Sequence, residues 1–203
     1  MSAISNGKEP YIIFLDIDGV LLSDWEKHQA SHYPSKEGIE AANQHESYLR
    51  LHSNSYSNNY WSLVIAHHFS KQAVENLSLL IQRIESVAKP QIVISSSWRQ
   101  GHTPQELRSI YFAMHPFAKH IIDKTPDEIP FANRAQEIQY WLNQHPEIKH
   151  FVILDDIDER LSKFFGESFI HIHDRYLLTE ADVEKVLAAS SLTRHFVASK
   201  QEG

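Results

Sequence analysis

Four short runs of apolar, largely β-branched residues are the feature that most constrains the fold of this chain. They have the length of strands, and they alternate with segments whose apolar residues recur at helical spacing. Strands that alternate with helices form βαβ units, in which helices cover a parallel sheet. We therefore predict an α/β fold with a doubly wound, Rossmann-like parallel sheet. The predicted strands are YIIFL (11–15), QIVIS (91–95), FVIL (151–154) and FIHIH (169–173).

Four segments carry the helical pattern. Ser70 and Thr103 stand at N-cap positions, and Thr103 is followed by Pro104 and Glu106 in a capping-box signature. Thr179 with Asp182 opens the last segment in the same way. The predicted helices lie within residues 70–89, 103–114, 134–144 and 179–189.

Residues 23–69 interrupt this alternation directly after the first strand. They are rich in Ser, Asn, His and Tyr and show poor periodicity, which predicts an insertion that forms a small cap or loop region near the site. Within it, residues 37–52 have helical character and residues 53–59 are typical of a flexible loop. A length of 203 residues fits one domain, 1–203, that contains this insertion. The pattern fades after Leu187, so a fragment of a longer protein is left open.

Composition excludes several classes of function. A net charge of −7, from 19 Lys and Arg against 26 Asp and Glu, argues against a nucleic-acid coat or an anionic membrane surface as the main partner. The absence of cysteine excludes disulfides, thiolate zinc sites and a cysteine nucleophile. No apolar run reaches the roughly 20 residues of a membrane span, and the N-terminus lacks a signal-peptide pattern. We expect a soluble protein, cytoplasmic by default, with signal-independent secretion as an effector and the oligomeric state left open.

Acidic and hydroxyl side chains stand at the ends of three predicted strands. The carboxyl ends of parallel strands form the ligand-binding edge of such sheets, so we expect these side chains to meet. Clustered carboxylates repel one another at neutral pH, and hard oxygen ligands of this kind favour Mg²⁺. The residues are Asp16 and Asp18, Ser95 and Ser96, and Asp155 and Asp156.

The hydroxyls and a lysine extend this set towards phosphate chemistry. Hydroxyls and backbone amides at a strand end can hold an anionic oxygen. An anionic nucleophile near a phosphate costs about 4 kcal/mol per charge pair at an effective dielectric of about 20, which a lysine and a divalent ion offset. Lys124 is the candidate counter-charge. The residues together predict a phosphoryl-transfer site.

The order of these motifs resembles the haloacid dehalogenase (HAD) superfamily of phosphohydrolases. The matching stretches are LDIDGVL, then VISSSWR, a lysine, and VILDDID. The branch described as the HAD domain of Swiss Army Knife RNA repair-like proteins is the most similar, because its members carry a similar Ser-Trp-Arg stretch and ILDD ending. The resemblance covers most of residues 11–187 apart from the insertion.

This resemblance implies an Mg²⁺-dependent phosphatase that works through an aspartyl-phosphate. Asp16 would be the nucleophile, and Asp18 the general acid and then base, with its backbone carbonyl on the metal. Asp155 and Asp156 would complete the metal site.

The remaining roles concern the phosphate. The second-motif hydroxyl maps to Ser95, with Ser96 beside it as a phosphate-binding amide. The third-motif lysine maps to Lys124, while Lys119 stays open as a competitor. Arg99 is a candidate phosphate or substrate contact, although it and Trp98 could equally pack beneath a loop. The resemblance assigns no role to Asp158 or Glu159.

Other interpretations of these motifs fit less well. An EF-hand loop fails because no acid follows at the required spacing, and a receiver-type domain has its acid pair and lysine in a different order. Adjacent histidines such as His67 and His68 do not naturally share a tetrahedral ion, and His171 and His173 on a strand face are more typical of solvated side chains than of a zinc site. The insertion aromatics could form a recognition lip or a small core; they are Tyr33, Tyr48, Tyr56, Tyr60 and Trp61.

The small insertion bears on the substrate. Family members with little cap leave the site open to macromolecules, which favours a phosphoprotein and, given the aromatics, phosphotyrosine. A nucleic-acid 3′-phosphate end and a small metabolite are the alternatives. A non-catalytic phosphate-binding or partner-binding module of a larger protein is the alternative of another class.

Overall fold

The computed structural model describes residues 8–52, 56–127 and 133–189. Within these residues, five parallel strands form one sheet in the order β3-β2-β1-β4-β5. The predicted α/β doubly wound fold and all four predicted strands are confirmed, and β3 is an addition. The strands are β1 (Pro10–Leu15), β2 (Lys89–Ile94), β3 (Ile121–Lys124), β4 (Phe151–Asp155) and β5 (Phe169–His171).

Helices cover both faces of this sheet. In the described ranges they are α1 (Asp24–His32), α2 (Lys36–Gln44), α3 (Glu46–His52), α4 (Tyr56–Ala66), α5 (Lys71–Glu85), α6 (Pro104–Glu106), α7 (Arg134–Gln144), α8 (Leu161–Phe165) and α9 (Glu180–Ala189).

The central strand β1 is buried on both faces, as a continuous apolar run predicts. Ile13 and Leu15 belong to a core that includes residues of α4, α5 and α9, whereas Ile12 and Phe14 belong to a second core with α7 and α8. Phe14 packs edge-on against Trp141 of α7, with ring centroids 5.3 Å apart. A strand held between two cores fixes the position of whatever follows its carboxyl end.

The helix signals in the sequence are confirmed at their starts. Ser70 accepts a hydrogen bond from the Ala73 amide, and Thr103 and Glu106 form a reciprocal capping box. The segment after Glu106 departs from the prediction: it widens into a π-helical turn, Leu107–Tyr111, whose ends are both buried.

The insertion is mostly helical, since α1 to α4 occupy most of residues 23–69. The helical character predicted for residues 37–52 is confirmed by α2 and α3, whereas α4 begins at Tyr56 within the loop predicted at 53–59. Residues 53–55 of that predicted loop lie outside the described residues.

These helices are short, and α1 and α2 have N-caps of their own, such as the capping box of Ser23 and Glu26. In α1 and α2 the buried positions hold small residues, Ala30, Gly38 and Ala42. The small buried residue of α1, Ala30, gives this helix a weak hydrophobic period, which explains why the sequence pattern did not show it. The domain boundaries themselves stay a prediction.

None of the helices in the described residues is both long enough and apolar enough to cross a membrane.

Candidate active site

The strand register places three predicted site residues at one level of the sheet edge. Leu15 of β1 pairs with Ile94 of β2 on one side and with Leu154 of β4 on the other. The next residues along the three strands are therefore Asp16, Ser95 and Asp155. All three are buried. Backbone hydrogen bonds continue the sheet here, since the Asp16 amide donates to Leu154 O at 3.0 Å and the Ser95 amide to Leu15 O at 2.9 Å.

Three carboxylates meet at this edge. One oxygen from each of Asp16, Asp155 and Asp156 lies within 4.8 Å of the others. Burial and then the Asp16 charge raise the pKa of Asp156 to about 6. Burial raises the pKa of Asp155 to about 7, and it also raises that of Asp16, both against the lowering effect of Arg134. Carboxylates that resist ionisation in each other's presence form a site suited to a cation.

Arg134, the first residue of α7, is the cation that reaches this cluster. Its Nη1 lies 2.7 Å from Asp155 Oδ2 and 3.4 Å from Asp16 Oδ1, and 3.5 Å from the Ser95 hydroxyl oxygen. Burial opposes the charge of the guanidinium, but the surrounding carboxylates outweigh it and raise the pKa of Arg134. The backbone amide of Arg134 donates to Glu159 Oε2 at 2.9 Å.

Gly19 lets Asp156 approach the first strand end. Gly19 has φ +73°, and a Cβ built on it would lie 2.2 Å from both Cγ and Oδ2 of Asp156. No side chain other than hydrogen fits between them. The backbone of this turn is tight, with the Gly19 amide donating to Leu22 O at 2.8 Å. The DIDG motif thus requires glycine at position 19, because Asp156, which follows β4, occupies the space that a Cβ would need.

Asp18 lies beside the cluster rather than within it. The ammonium of Lys27, from α1, lies 2.8 Å from Asp18 Oδ1, and the Trp98 indole donates to the same oxygen at 3.2 Å. Both partners contact Oδ1 of Asp18. In the described part of the chain, neither a basic side chain nor an indole contacts Oδ2 of Asp18. The side chain of Asp18 remains about one-third exposed, at 33%.

The structure does not bring the predicted lysine to the carboxylates. Lys124 ends β3, two strands from β1, which is a distance of about 10 Å at the usual strand spacing. Its Nζ is held by Asp127 at 2.6 Å and by Arg99 O at 3.0 Å. Lys119 precedes β3 and so lies at the opposite, amino end of that strand. Among the described residues, Arg134 and not Lys124 is therefore the basic residue in contact with Asp16 and Asp155.

Arg99 is engaged by the protein itself. Its guanidinium is 4% exposed and lies 2.7 Å from Glu137 Oε2. It donates to the backbone carbonyls of Ser96, Thr125 and Pro126 at 2.9, 3.1 and 3.2 Å. These bonds join the end of β2 to the segment after β3 and to α7, so the guanidinium is engaged mainly within the protein.

The two serines are both buried at the end of β2. Ser95 shares Arg134 with the carboxylates, as described above. The Ser96 hydroxyl lies close enough to the Asp16 carboxylate to lower its pKa through a hydrogen bond, although the geometry of this bond is poor.

Residues without an assigned role have structural contacts. Asp158 accepts hydrogen bonds from the amide and hydroxyl of Ser162 at 2.8 and 2.6 Å. His68 Nε2 accepts from the Ser35 amide at 3.0 Å, and a ring nitrogen of His171 lies 2.8 Å from Asp156 O. Among the described residues, the only three-residue group suited to a metal is that of Asp16, Asp155 and Asp156.

The insertion aromatics do not form a single lip. Tyr48 hydrogen-bonds Glu106, and with Tyr60 it packs against the core. Tyr33 and Trp61 are exposed, whereas the Tyr56 side chain lies outside the described residues. Trp98, in turn, packs edge-on against Phe69 with ring centroids 5.5 Å apart.

Sequence reasoning missed Arg134 and Lys27. A signal existed for Arg134, because a basic residue in the first turn of a helix is opposed by the helix dipole and needs acidic partners. Lys27 gave no such signal, since its partner is nine residues away on the other side of a tight turn.

Comparison with known proteins agrees with this geometry. The model of the family described as the HAD domain in Swiss Army Knife RNA repair proteins matches residues 12–183, most of the 203-residue chain. No curated protein and no solved structure shows a significant match. Membership of this superfamily suggests a phosphatase-type hydrolase, and the cluster of acids could bind Mg²⁺. The chain belongs to the HAD family of domains found in Swiss Army Knife RNA repair proteins.

Proposed function

We propose that this protein is an Mg²⁺-dependent phosphomonoester hydrolase that forms an aspartyl-phosphate on Asp16. The observation that carries the proposal is the convergence of Asp16, Asp155 and Asp156 within 4.8 Å at the carboxyl edge of the sheet. The family match supports the same reaction class. A half-buried arginine in contact with the carboxylates and a glycine without room for a Cβ beside them also support a site built for a reaction.

The residues divide the reaction between them. An Asp16 oxygen attacks phosphorus, and the bond from phosphorus to the leaving oxygen breaks while Asp18 gives that oxygen a proton. Water then attacks the phosphorus of the acyl phosphate, Asp18 takes its proton, and inorganic phosphate leaves as the Asp16 carboxylate is restored. Ser95 and Ser96 hold phosphate oxygens at the end of β2.

Arg134 takes the cationic role in this scheme. Its contacts with Asp16 and Asp155 hold both carboxylates in place. It also favours the ionised form of Asp16, which the nucleophile requires and which burial disfavours. Lys124 would contribute indirectly, by tying Asp127, which follows β3, to the end of that strand and to the backbone of Arg99.

The donor set fits Mg²⁺. Asp16, Asp155 and Asp156 offer three carboxylate oxygens, which are hard ligands, and Asp18 would add its backbone carbonyl. When bound, the ion would supply positive charge against the carboxylates and the phosphate oxygens. Burial and the neighbouring carboxylates raise the pKa values of Asp155 and Asp156, and a bound cation would oppose this shift, which supports the proposal.

Turnover of a generic aryl phosphate tests the proposal. Wild-type activity should require Mg²⁺ and should vanish in Asp16→Asn, which keeps the shape of the side chain but removes the nucleophile. Trapping of an alkali-sensitive phosphoenzyme in the wild type, and not in Asp16→Asn, identifies the intermediate. Ordinary activity in Asp16→Asn would refute the assignment, and binding of Mg²⁺ and beryllium fluoride without turnover would favour the non-catalytic alternative.

The substrate is a separate question. The phosphoprotein expected from the sequence, with phosphotyrosine as its special case, stays a prediction. The family description names RNA repair, which supports a nucleic-acid end as the second candidate. A panel of phosphotyrosyl and phosphoseryl peptides, phosphorylated oligonucleotides and sugar phosphates separates these substrates by kcat/KM.

A further inference from the structure

The two carboxylate oxygens of Asp18 have different surroundings. The ammonium of Lys27 lies 2.8 Å from Oδ1, and the Trp98 indole donates to the same atom at 3.2 Å. These two groups come from different parts of the fold, since Lys27 belongs to α1 of the insertion and Trp98 follows β2. In the described ranges no protein donor reaches Oδ2.

Asp18 also lines a cleft of about 330 Å³ beside the acid cluster. Lys27, Trp25 and Asp156 line the same cleft. It is the space next to Asp18 into which a leaving group can extend while its phosphate lies at the carboxylates. Asp24, the other acid near Lys27, is fully exposed and 3.8 Å away from its ammonium, so Asp18 is the closer partner.

The connection from Asp18 to Lys27 is short and anchored in the core. The chain turns back directly after Asp18, where the Gly19 amide donates to a backbone carbonyl at 2.8 Å. Residues 20–22 of this turn are fully buried, and so is Ala30 of α1. The core contacts on both sides of Lys27 therefore fix the point from which its side chain reaches Asp18.

The ring of Trp98 is held by two buried aromatic side chains. It packs edge-on against Phe69 with ring centroids 5.5 Å apart, and against Phe112 at an angle of 41° with centroids 5.8 Å apart. Because these contacts fix the plane of the indole, they also fix the direction of its N–H group.

The chemistry of these two partners decides which oxygen of Asp18 can carry a proton. An ammonium and an indole N–H donate hydrogen bonds and accept none. A hydrogen on Oδ1 would therefore point at the hydrogens of both groups, whereas a hydrogen on Oδ2 meets no such conflict. The same contacts restrict the rotation of the carboxyl group, so that it is oriented before the reaction begins.

We infer that Lys27, together with Trp98, is a positioning residue for Asp18, an inference that rests on the proposed phosphomonoester hydrolysis. The two groups hold Oδ1 and leave Oδ2 to give its proton to the leaving oxygen, while the bond from phosphorus to that oxygen breaks and the bond to Asp16 forms. Lys27 keeps its own protons throughout. The insertion then takes part in the chemistry and is not only a cover for the site.

Stability does not explain this pair of charges. The side chains of Lys27 and Asp18 are 35% and 33% exposed, and ion pairs with such exposure add little to the stability of a fold. The competing role is direct binding of the substrate phosphate by Lys27, which would affect every phosphomonoester alike. A role through Asp18 affects only those leaving groups that need a proton.

Two substrates of similar shape test the inference. From p-nitrophenyl phosphate a phenolate departs without a proton, whereas p-nitrobenzyl phosphate releases an alcohol that has to receive one. Lys27→Met should lower kcat/KM for the benzyl ester by about tenfold to about a hundredfold, and that for the phenyl ester by less than about threefold. Trp98→Phe, which keeps a ring but removes the N–H, should change the ratio of the two values in the same direction, and Lys27→Arg should restore most of it.

The matched control is Lys36→Met, which removes another lysine of the insertion. Its ammonium lies 3.6 Å from Glu40 on the same helix, and its side chain is 83% exposed. The ratio of the two kcat/KM values in this variant should equal that of the wild type. Equal losses for both esters in Lys27→Met, or no loss for either, would overturn the inference.

Crystal structures of the wild type, Lys27→Met and Lys36→Met separate this inference from the proposed function. Asp18 should have one side-chain conformation in the wild type and in Lys36→Met, and a different one or several in Lys27→Met. If the wild type hydrolyses no phosphomonoester but this pattern holds, the function fails and the positioning of Asp18 stands. If the wild type hydrolyses both esters but Asp18 keeps its conformation in Lys27→Met and both kcat/KM values fall equally, the inference fails and the function stands.

Discussion

Arg134 Nη1 lies 2.7 Å from Asp155 Oδ2, so the buried acid of β4 is paired with an arginine from the start of α7. Arg134→Met should lower kcat/KM for an aryl phosphate by on the order of a hundredfold or more, because the carboxylates lose the fixed cation that keeps them ionised and in place. Arg134→Lys should recover part of the activity, since it restores the positive charge but not the simultaneous contact with Asp16 and Asp155.

Comparing the activity of Lys124→Met with that of Arg134→Met tests which of the two basic residues the reaction requires. Lys124→Met should retain most of the activity, because its ammonium is committed to Asp127 and to Arg99 O. Loss of activity in Lys124→Met together with ordinary activity in Arg134→Met would restore the lysine assignment made from the sequence.

Gly19→Ala should damage the site through Asp156. Gly19 and Gly101 have nearly the same φ, +73° and +72°, but an added Cβ meets Asp156 Cγ at 2.2 Å in the first and nothing within 4 Å in the second. Both alanines cost about 1–2 kcal/mol of backbone strain. Only Gly19→Ala should also displace the Asp156 carboxylate and reduce activity, by about a hundredfold.

Parallel measurements of urea unfolding and aryl phosphate turnover on the two alanine variants check this prediction. Equal activities in Gly19→Ala and Gly101→Ala would mean that the position of Asp156 is unimportant for the reaction.

The pH dependence of stability should reveal the acid cluster. The pKa values of Asp155 and Asp156 are raised from 3.8 to about 7 and about 6. Between about pH 4 and pH 7 the folded protein therefore holds protons that the unfolded chain has released, so this cluster lowers the free energy of unfolding as the pH rises. Mg²⁺ binds the ionised carboxylates, and its stabilising effect should grow over the same interval.

The effect of the acid cluster has to be measured as a difference between two variants, because partly buried histidines change the free energy of unfolding with pH in the opposite direction. Burial lowers the pKa values of His67, His102 and His115, for example, which makes the protein more stable as the pH rises. The free energy of unfolding of the wild type minus that of Asp155→Asn, without Mg²⁺, should fall from pH 4 to pH 7. A difference that is constant with pH would show that Asp155 titrates at an ordinary pKa.

Arg99 should matter for stability rather than for phosphate binding. Arg99→Met leaves Glu137 without its 2.7 Å partner and three backbone carbonyls without their donor, and loss of one member of a buried pair costs about 3–5 kcal/mol. Arg83→Met is the matched control, because its contact with Glu184 is 3.6 Å long and half exposed, which is worth at most about 1 kcal/mol. Urea unfolding of both variants measures the contrast, and a large rise in KM for Arg99→Met without loss of stability would contradict it.

The sequence by itself determined the sheet, most of its helices and the acids at the carboxyl edge. Strands such as β1 are local, continuous apolar runs, and residues that directly follow such runs are carried to the same edge by any parallel sheet. Asp16, Ser95 and Asp155 could therefore be placed together before the strand register was known. The sequence missed β3, a four-residue strand of mixed polarity, and the insertion helices α1 and α4, although it gave residues 37–52 the helical character that α2 and α3 show.

The tertiary structure alone decided which cation meets the acids and what surrounds the cleft. Lys124 and Arg134 are both basic residues that precede β4, and no local pattern shows that Asp127 holds the first whereas α7 aims the second at Asp155. In the same way, only the packing of α1 beside the first strand end brings Lys27 to Asp18 and Trp25 to the cleft. Hydrophobic periodicity specifies which residues enter the core, but the direction of a long polar side chain depends on partners that are distant in sequence.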